Sequence, residues 1–88
     1  MVDARYAQAR MTLRQWRVNV LSIRQEDLVD RLRMAGVKAT LSAVSLWESG
    51  KRSPRVTTRA GVAKALGIQP WQIIWADDPA TEEQPVAA

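Results

Sequence analysis

Apolar residues recur at helical spacing along most of the 88-residue chain. Ala9, Leu13, Trp16 and Val20 fall on one stripe of a first helix that Asp3 caps and that runs to about residue 21. Arg10, Arg14 and Arg17 share another face of that helix, a basic and solvated one. Ser22 and Gln25 stand at capping-box spacing and predict a second helix to residue 35, buried through Leu28, Val29 and Leu32. Gly36 stops it, residues 37–39 connect, and Thr40 is the natural N-cap of a third helix over 41–49. Gly50 closes that helix in a left-handed conformation, and Pro54 forbids an early restart. A fourth helix over 56–66 takes its apolar stripe from Val56, Ala60, Ala63 and Leu66, joined by Val62. Gly61 in its middle costs about 1 kcal/mol against alanine and so marks a close helix contact. Gly67 ends the helix, and Pro70 suits the first turn of a fifth, short helix over 70–76.

No segment alternates as a strand would, so the pattern predicts an all-α class with five helices. Residues 1–9 form an arm or the first turns of helix one, and 10–76 form the folded domain. From Asp77 the composition turns to Pro, Glu, Ala, Thr and Gln, which predicts a disordered acidic tail over 77–88.

Composition narrows the chemistry. The chain has neither cysteine nor histidine, which removes disulfides, thiolate metal sites and a histidine general base. With no phosphate loop and no paired carboxylates, an enzyme is not expected, nor is a metal or cofactor. No stretch approaches the roughly 20 apolar residues of a membrane span, and no signal peptide is visible. The expected home is the cytoplasm of a prokaryotic cell, the host's if a phage encodes the chain. All 13 Lys and Arg lie at or before Lys64; residues 1–76 hold five acids and carry +8, while 77–88 carry −4. A basic body of this kind suits a nucleic-acid partner.

The run from Val44 to Pro54, VSLWESGKRSP, adds a specific shape to that charge. Val44 and Trp47 sit three apart and bury together, whereas Ser42, Ser45 and Leu46 point elsewhere. Lys51, Arg52 and Arg55 cluster on the turn that follows. A compact helix with small, uncharged exposed side chains and flanking cations fits a DNA major groove.

With Gln25-Glu26-Asp27-Leu28 ahead of this run and Val62-Ala63-Lys64-Ala65-Leu66-Gly67-Ile68 behind it, the chain resembles the Cro/CI-type helix-turn-helix family over roughly residues 12–75. The resemblance implies a five-helix fold like that of the lambda repressor and a homodimeric partner of double-stranded DNA. It implies base contacts from Thr40, Leu41, Ser42, Ser45 and Leu46, and phosphate contacts from Gln25, Lys51, Arg52 and Arg55. Arg14, Arg17, Arg24 and Lys38 are further positions for DNA contact. Val44 and Trp47 match core positions, and Glu48 matches a carboxylate that pairs with a helix-one arginine, Arg17 or Arg14. Two departures from the family pattern stand out: the connector before Thr40 is longer than the tight family turn, and Arg24 replaces the usual Ser or Thr cap before the glutamine.

Leucine and serine make no bidentate contact with guanine or adenine, so thymine methyls and DNA shape are expected to carry much of the sequence preference. The apolar segment Trp71, Ile73, Ile74 and Trp75 reads either as a cap on the core or as a dimer seam, with Trp71, Ile74 and Trp75 packed inward and Ile73 left exposed. The leading expectation is a small DNA-binding regulator acting as a repressor. The alternatives are a protein-interaction module on a helix-turn-helix scaffold, antitoxin-like or antagonising a host factor, and a nonspecific architectural binder of DNA.

Overall fold

The computed structural model describes residues 4–77. Asp3, expected to cap the first helix, and residues 78–88 of the acidic tail lie outside it. The described chain is mostly helical. α1 (Leu13–Gln15) runs on into a π-helical stretch, Trp16–Leu21, and is followed by α2 (Gln25–Met34), α3 (Leu41–Ser49) and α4 (Val56–Leu66). Single 3-10 turns lie at Ala4–Tyr6 and Pro70–Gln72. Two short strands, β1 (Met11–Thr12) and β2 (Ile73–Ile74), pair in parallel, Met11 with Ile73 and Thr12 with Ile74.

α2, α3 and α4 form where the local signals place them. Thr40 Oγ1 accepts from Ala43 N at 3.1 Å, which caps α3. Gly50 closes it at φ 78°, and the amides of Lys51 and Arg52 both turn back to Leu46 O. α2 opens two residues later than the Ser22 spacing suggests. Ser22 instead takes a left-handed conformation (φ 53°) that ends the π-helical stretch, and Arg24 becomes the capping residue. No serine or threonine hydroxyl stands there to accept from the first-turn amides; the half of the cap that forms is Asp27 Oδ2 accepting from Arg24 N at 3.1 Å.

The first helix departs more. It begins at Leu13, because Thr12 and Gln15 make a reciprocal box: Gln15 N donates to Thr12 Oγ1 at 3.2 Å, and Thr12 N to Gln15 Oε1 at 2.9 Å. Upstream, the ladder to β2 uses the backbone that a longer helix would need. Gln72, buried among apolar neighbours, donates through Nε2 to Tyr6 O at 2.8 Å and Ala9 O at 3.0 Å. Its own carbonyl accepts from Trp16 Nε1 at 2.9 Å. These bonds fasten the turns of the N-terminal segment to the core.

That arrangement also overturns the fifth helix. After the turn at Pro70–Gln72 the chain is a strand, so side chains alternate with a period of two rather than 3.6. Ile73 and Trp75 therefore go inward, at 1% and 4% exposure, and Ile74 is half-buried. Trp71, expected inside, is 48% exposed. The expected dimer seam loses Ile73 and Trp75 to the core, and the exposed Ile73 of the helical reading is corrected with it.

Trp16, Leu28, Leu32, Val44 and Val62 are fully buried, with Leu13, Leu66 and Ile73 nearly so. Burial of each such side chain contributes about 1.5–3 kcal/mol. α4 presents Val62, Ala63 and Leu66 to this core. Its expected stripe was misplaced: Val56 is 77% exposed and Ala60 is exposed too. Arg59 takes the position one turn before Val62 and Ala63, donating through Nε to Pro54 O at 3.0 Å and through Nη2 to both Asp77 oxygens at 2.8 Å.

A Cβ on Gly61 would lie 2.6 Å from Val37 Cγ2, so the close contact there is made with the connector between α2 and α3 and not with a helix as expected. Val37 is stiff and buried, and cannot yield cheaply. Gly61→Ala is expected to lower unfolding free energy by about 1–2 kcal/mol, overpacking outweighing the gain in helix propensity; urea denaturation measures it. A stabilised variant would show that Val37 does not pin α4.

The backbone amide of Arg24, helped by its guanidinium, holds the Asp27 carboxyl below its ordinary 3.8, and Arg59 does the same for Asp77. Folded-state values below the unfolded one give stability that is complete above about pH 5 and is lost as pH falls through the folded values. Melting temperature should drop between roughly pH 5 and pH 2, and Asp27→Asn with Asp77→Asn should flatten that drop.

Candidate nucleic-acid interface

The sequence VSLWES turns α3 so that two faces part cleanly. Val44 is fully buried and Trp47 half-buried against the core. Thr40, Leu41, Ser42 and Ser45 are exposed on the other side, with Leu41 at 48%. Leu46 is half-buried, so of the two leucines it is the more sheltered. The Thr40 hydroxyl oxygen is engaged by the cap, while its O–H remains a donor.

Glu48, on the sheltered side, fixes this orientation. Arg17 Nε donates to its Oε2 at 2.6 Å and Nη2 to its Oε1 at 2.9 Å, a bidentate pair. Gln25 Nε2 adds a 3.1 Å bond to Oε1, and Arg17 Nη1 donates to Ile23 O at 2.8 Å. The Glu48 side chain is only 4% exposed and that of Arg17 13%. Hydrogen bonding to Glu48 strengthens the hold of Arg17 on its proton, outweighing the opposing effect of burial. Of the two arginines the family resemblance offered for Glu48, the structure selects Arg17. The basic, solvated face expected of helix one is corrected accordingly, since Arg17 is drawn inward while Arg14 stays exposed.

Above the pair lies an open hollow of about 290 Å³, lined by Arg14, Arg17, Gln25, Ser45, Glu48 and Ser49. It joins the exposed face of α3 to the start of α2, where Gln25 is the first helical residue. Arg24 is exposed but keeps acidic company, Asp27 at 3.5 Å and Glu26 at 4.0 Å. Lys38 is exposed on the long connector, whose carbonyl at Ala39 accepts from Arg33 Nε at 3.2 Å.

The turn after α3 carries Lys51, Arg52 and Arg55, all exposed. Among the described residues no carboxylate lies within ion-pair distance of any of the three. The turn is nonetheless rigidly seated. Pro54 is buried and its carbonyl is held by Arg59, whose guanidinium lies 5.5 Å from the centre of the Trp75 ring. Sequence reasoning missed Arg59, and the available signal was its place one turn ahead of Val62 and Ala63.

The described residues contain no group of three or more His, Cys, Asp or Glu side chains placed to hold a metal ion. None of the described helices is long and apolar enough to cross a membrane.

Glu48→Ala strands the Arg17 charge in a sheltered site and should cost about 2–4 kcal/mol of stability. Glu48→Gln, which retains an acceptor for Gln25 and Arg17, should cost less. Equal losses in chemical denaturation would show that the charge of Glu48 is immaterial. No protein-family model, curated protein or solved structure matches this chain.

Proposed function

We propose that the protein binds double-stranded DNA, with α3 in the major groove, and acts as a small transcriptional regulator that blocks polymerase by occupying its site. The observation that carries this reading is the pairing of an exposed, uncharged helix face (Thr40, Leu41, Ser42, Ser45) with three exposed cations, Lys51, Arg52 and Arg55, on the adjoining turn. The resemblance of residues 12–75 to the Cro/CI-type family supports the same placement.

In this reading phosphates position the domain and base edges specify the site. Lys51, Arg52 and Arg55 grip one strand's backbone. Gln25 spends one amide hydrogen on Glu48 and offers the other to a phosphate at the start of α2, where unpaired backbone amides favour an anion. Arg14, across the hollow from Ser45 and Ser49, reaches the same backbone. Ser42 and Ser45 make single hydrogen bonds to base edges, and Leu41 meets thymine methyls. DNA shape supplies the rest of the preference. A two-fold dimer would set two α3 helices about 34 Å apart.

A second reading, a protein-interaction module on the same scaffold, is favoured by the half-exposed Leu41 at the tip of α3. Titration with duplex at low ionic strength separates the two. The DNA reading expects amide shifts in residues 40–49 and 51–55, and silence there would falsify it. Lys51→Ala and Arg52→Ala should each weaken binding to all duplexes alike and reduce the log–log salt slope by about 1. Leu41→Ala should instead change the preference among sequences while leaving that slope in place.

A further inference from the structure

The chain leaves the described fold beside the basic turn. A Cβ on Gly50 would lie 3.5 Å from Ala76 Cβ, so Ala76 rests where α3 gives way to Lys51 and Arg52. One residue on, Asp77 takes both its 2.8 Å bonds from Arg59, the same guanidinium that holds Pro54 O. Ser53, within the turn, also helps to hold the Asp77 carboxyl below its ordinary range. The start of the acidic segment is thus fastened to the segment that bears three cations with no carboxylate in ion-pair distance among the described residues.

Beyond Asp77 the sequence continues with Asp78, Glu82 and Glu83 and contains no Lys or Arg. At no more than about 3.5 Å per residue, Glu82 and Glu83 can reach as far as roughly 17–21 Å from Asp77. Lys51, Arg52 and Arg55 occupy a turn that begins at Gly50, against Ala76.

We propose that the acidic segment 77–83 engages Lys51, Arg52 and Arg55 in the free protein and competes there with nucleic-acid phosphate. This rests on the DNA-binding reading of the same turn and adds its regulation. Three further carboxylates match three cations, and the tether places them at an effective concentration on the order of millimolar. Exposed ion pairs are individually weak and salt-screened. Duplex, with its dense array of phosphates, therefore displaces the segment rather than being shut out. The segment sets the threshold for phosphate capture, most strongly at low salt.

The test compares the parent chain with the triple variant Asp78→Asn, Glu82→Gln, Glu83→Gln. Without DNA, the amides of Lys51, Arg52 and Arg55 should shift between the two at low salt and converge at high salt. With a short duplex, the variant should bind about threefold tighter at low salt, the advantage fading as salt rises. Tighter binding without local shifts assigns the gain to overall charge and overturns the competition. Unchanged shifts with unchanged affinity overturn it too, leaving the DNA reading intact. If neither form binds duplex, the DNA reading falls and the competition with it.

Discussion

Glu48 receives two hydrogen bonds from Arg17 and one from Gln25, and those three residues belong to three successive helical segments. Whatever α3 presents to a partner depends on this arrangement, because the carboxylate fixes both its roll and its tilt against its neighbours. A sheltered ion pair adds little net stability over a well-packed apolar substitute, since removing two charges from water consumes most of their attraction. Its contribution lies in geometry. The bidentate fork allows one relative orientation, where leucine packing would allow several.

The rest of the body is held by an economy of polar contacts inside a small apolar core. A domain of this size buries a limited share of its unfolded surface, so few interactions are dispensable. Gln72 illustrates the point. Its side chain satisfies two carbonyls of the N-terminal segment while its backbone receives the indole of Trp16. One residue therefore joins the first segment, the central aromatic ring and the last strand. Apolar burial supplies the driving force, and this polar hub selects the topology.

The middle of the chain was the legible part. α3 and α4 begin and end where Thr40, Gly50, Pro54 and Gly67 direct, because caps and left-handed glycines are local devices that tertiary context seldom overrides. The candidate interface was legible for the same reason, as its helix and turn are contiguous in sequence. The two ends were not. Residues 71–75 are apolar in four of five positions, and such a run fits a helix or a strand equally well. The deciding partner, Met11–Thr12, lies some sixty residues away. Thr12 and Gln15 did announce a helix start, but the longer stripe through Ala9 masked it. Arg59 was hidden because an arginine on a helix reads as solvated until its carbonyl and carboxylate partners are placed.

The parallel ladder between Met11–Thr12 and Ile73–Ile74 closes the chain into a ring of hydrogen bonds and packing. Neither strand can fray alone: peeling β1 away exposes the inner edge of β2, frees Gln72 and opens a route to Trp16. The two strands should therefore exchange their protected amides in a single shared opening event, distinct from the slower, global one that releases the helices.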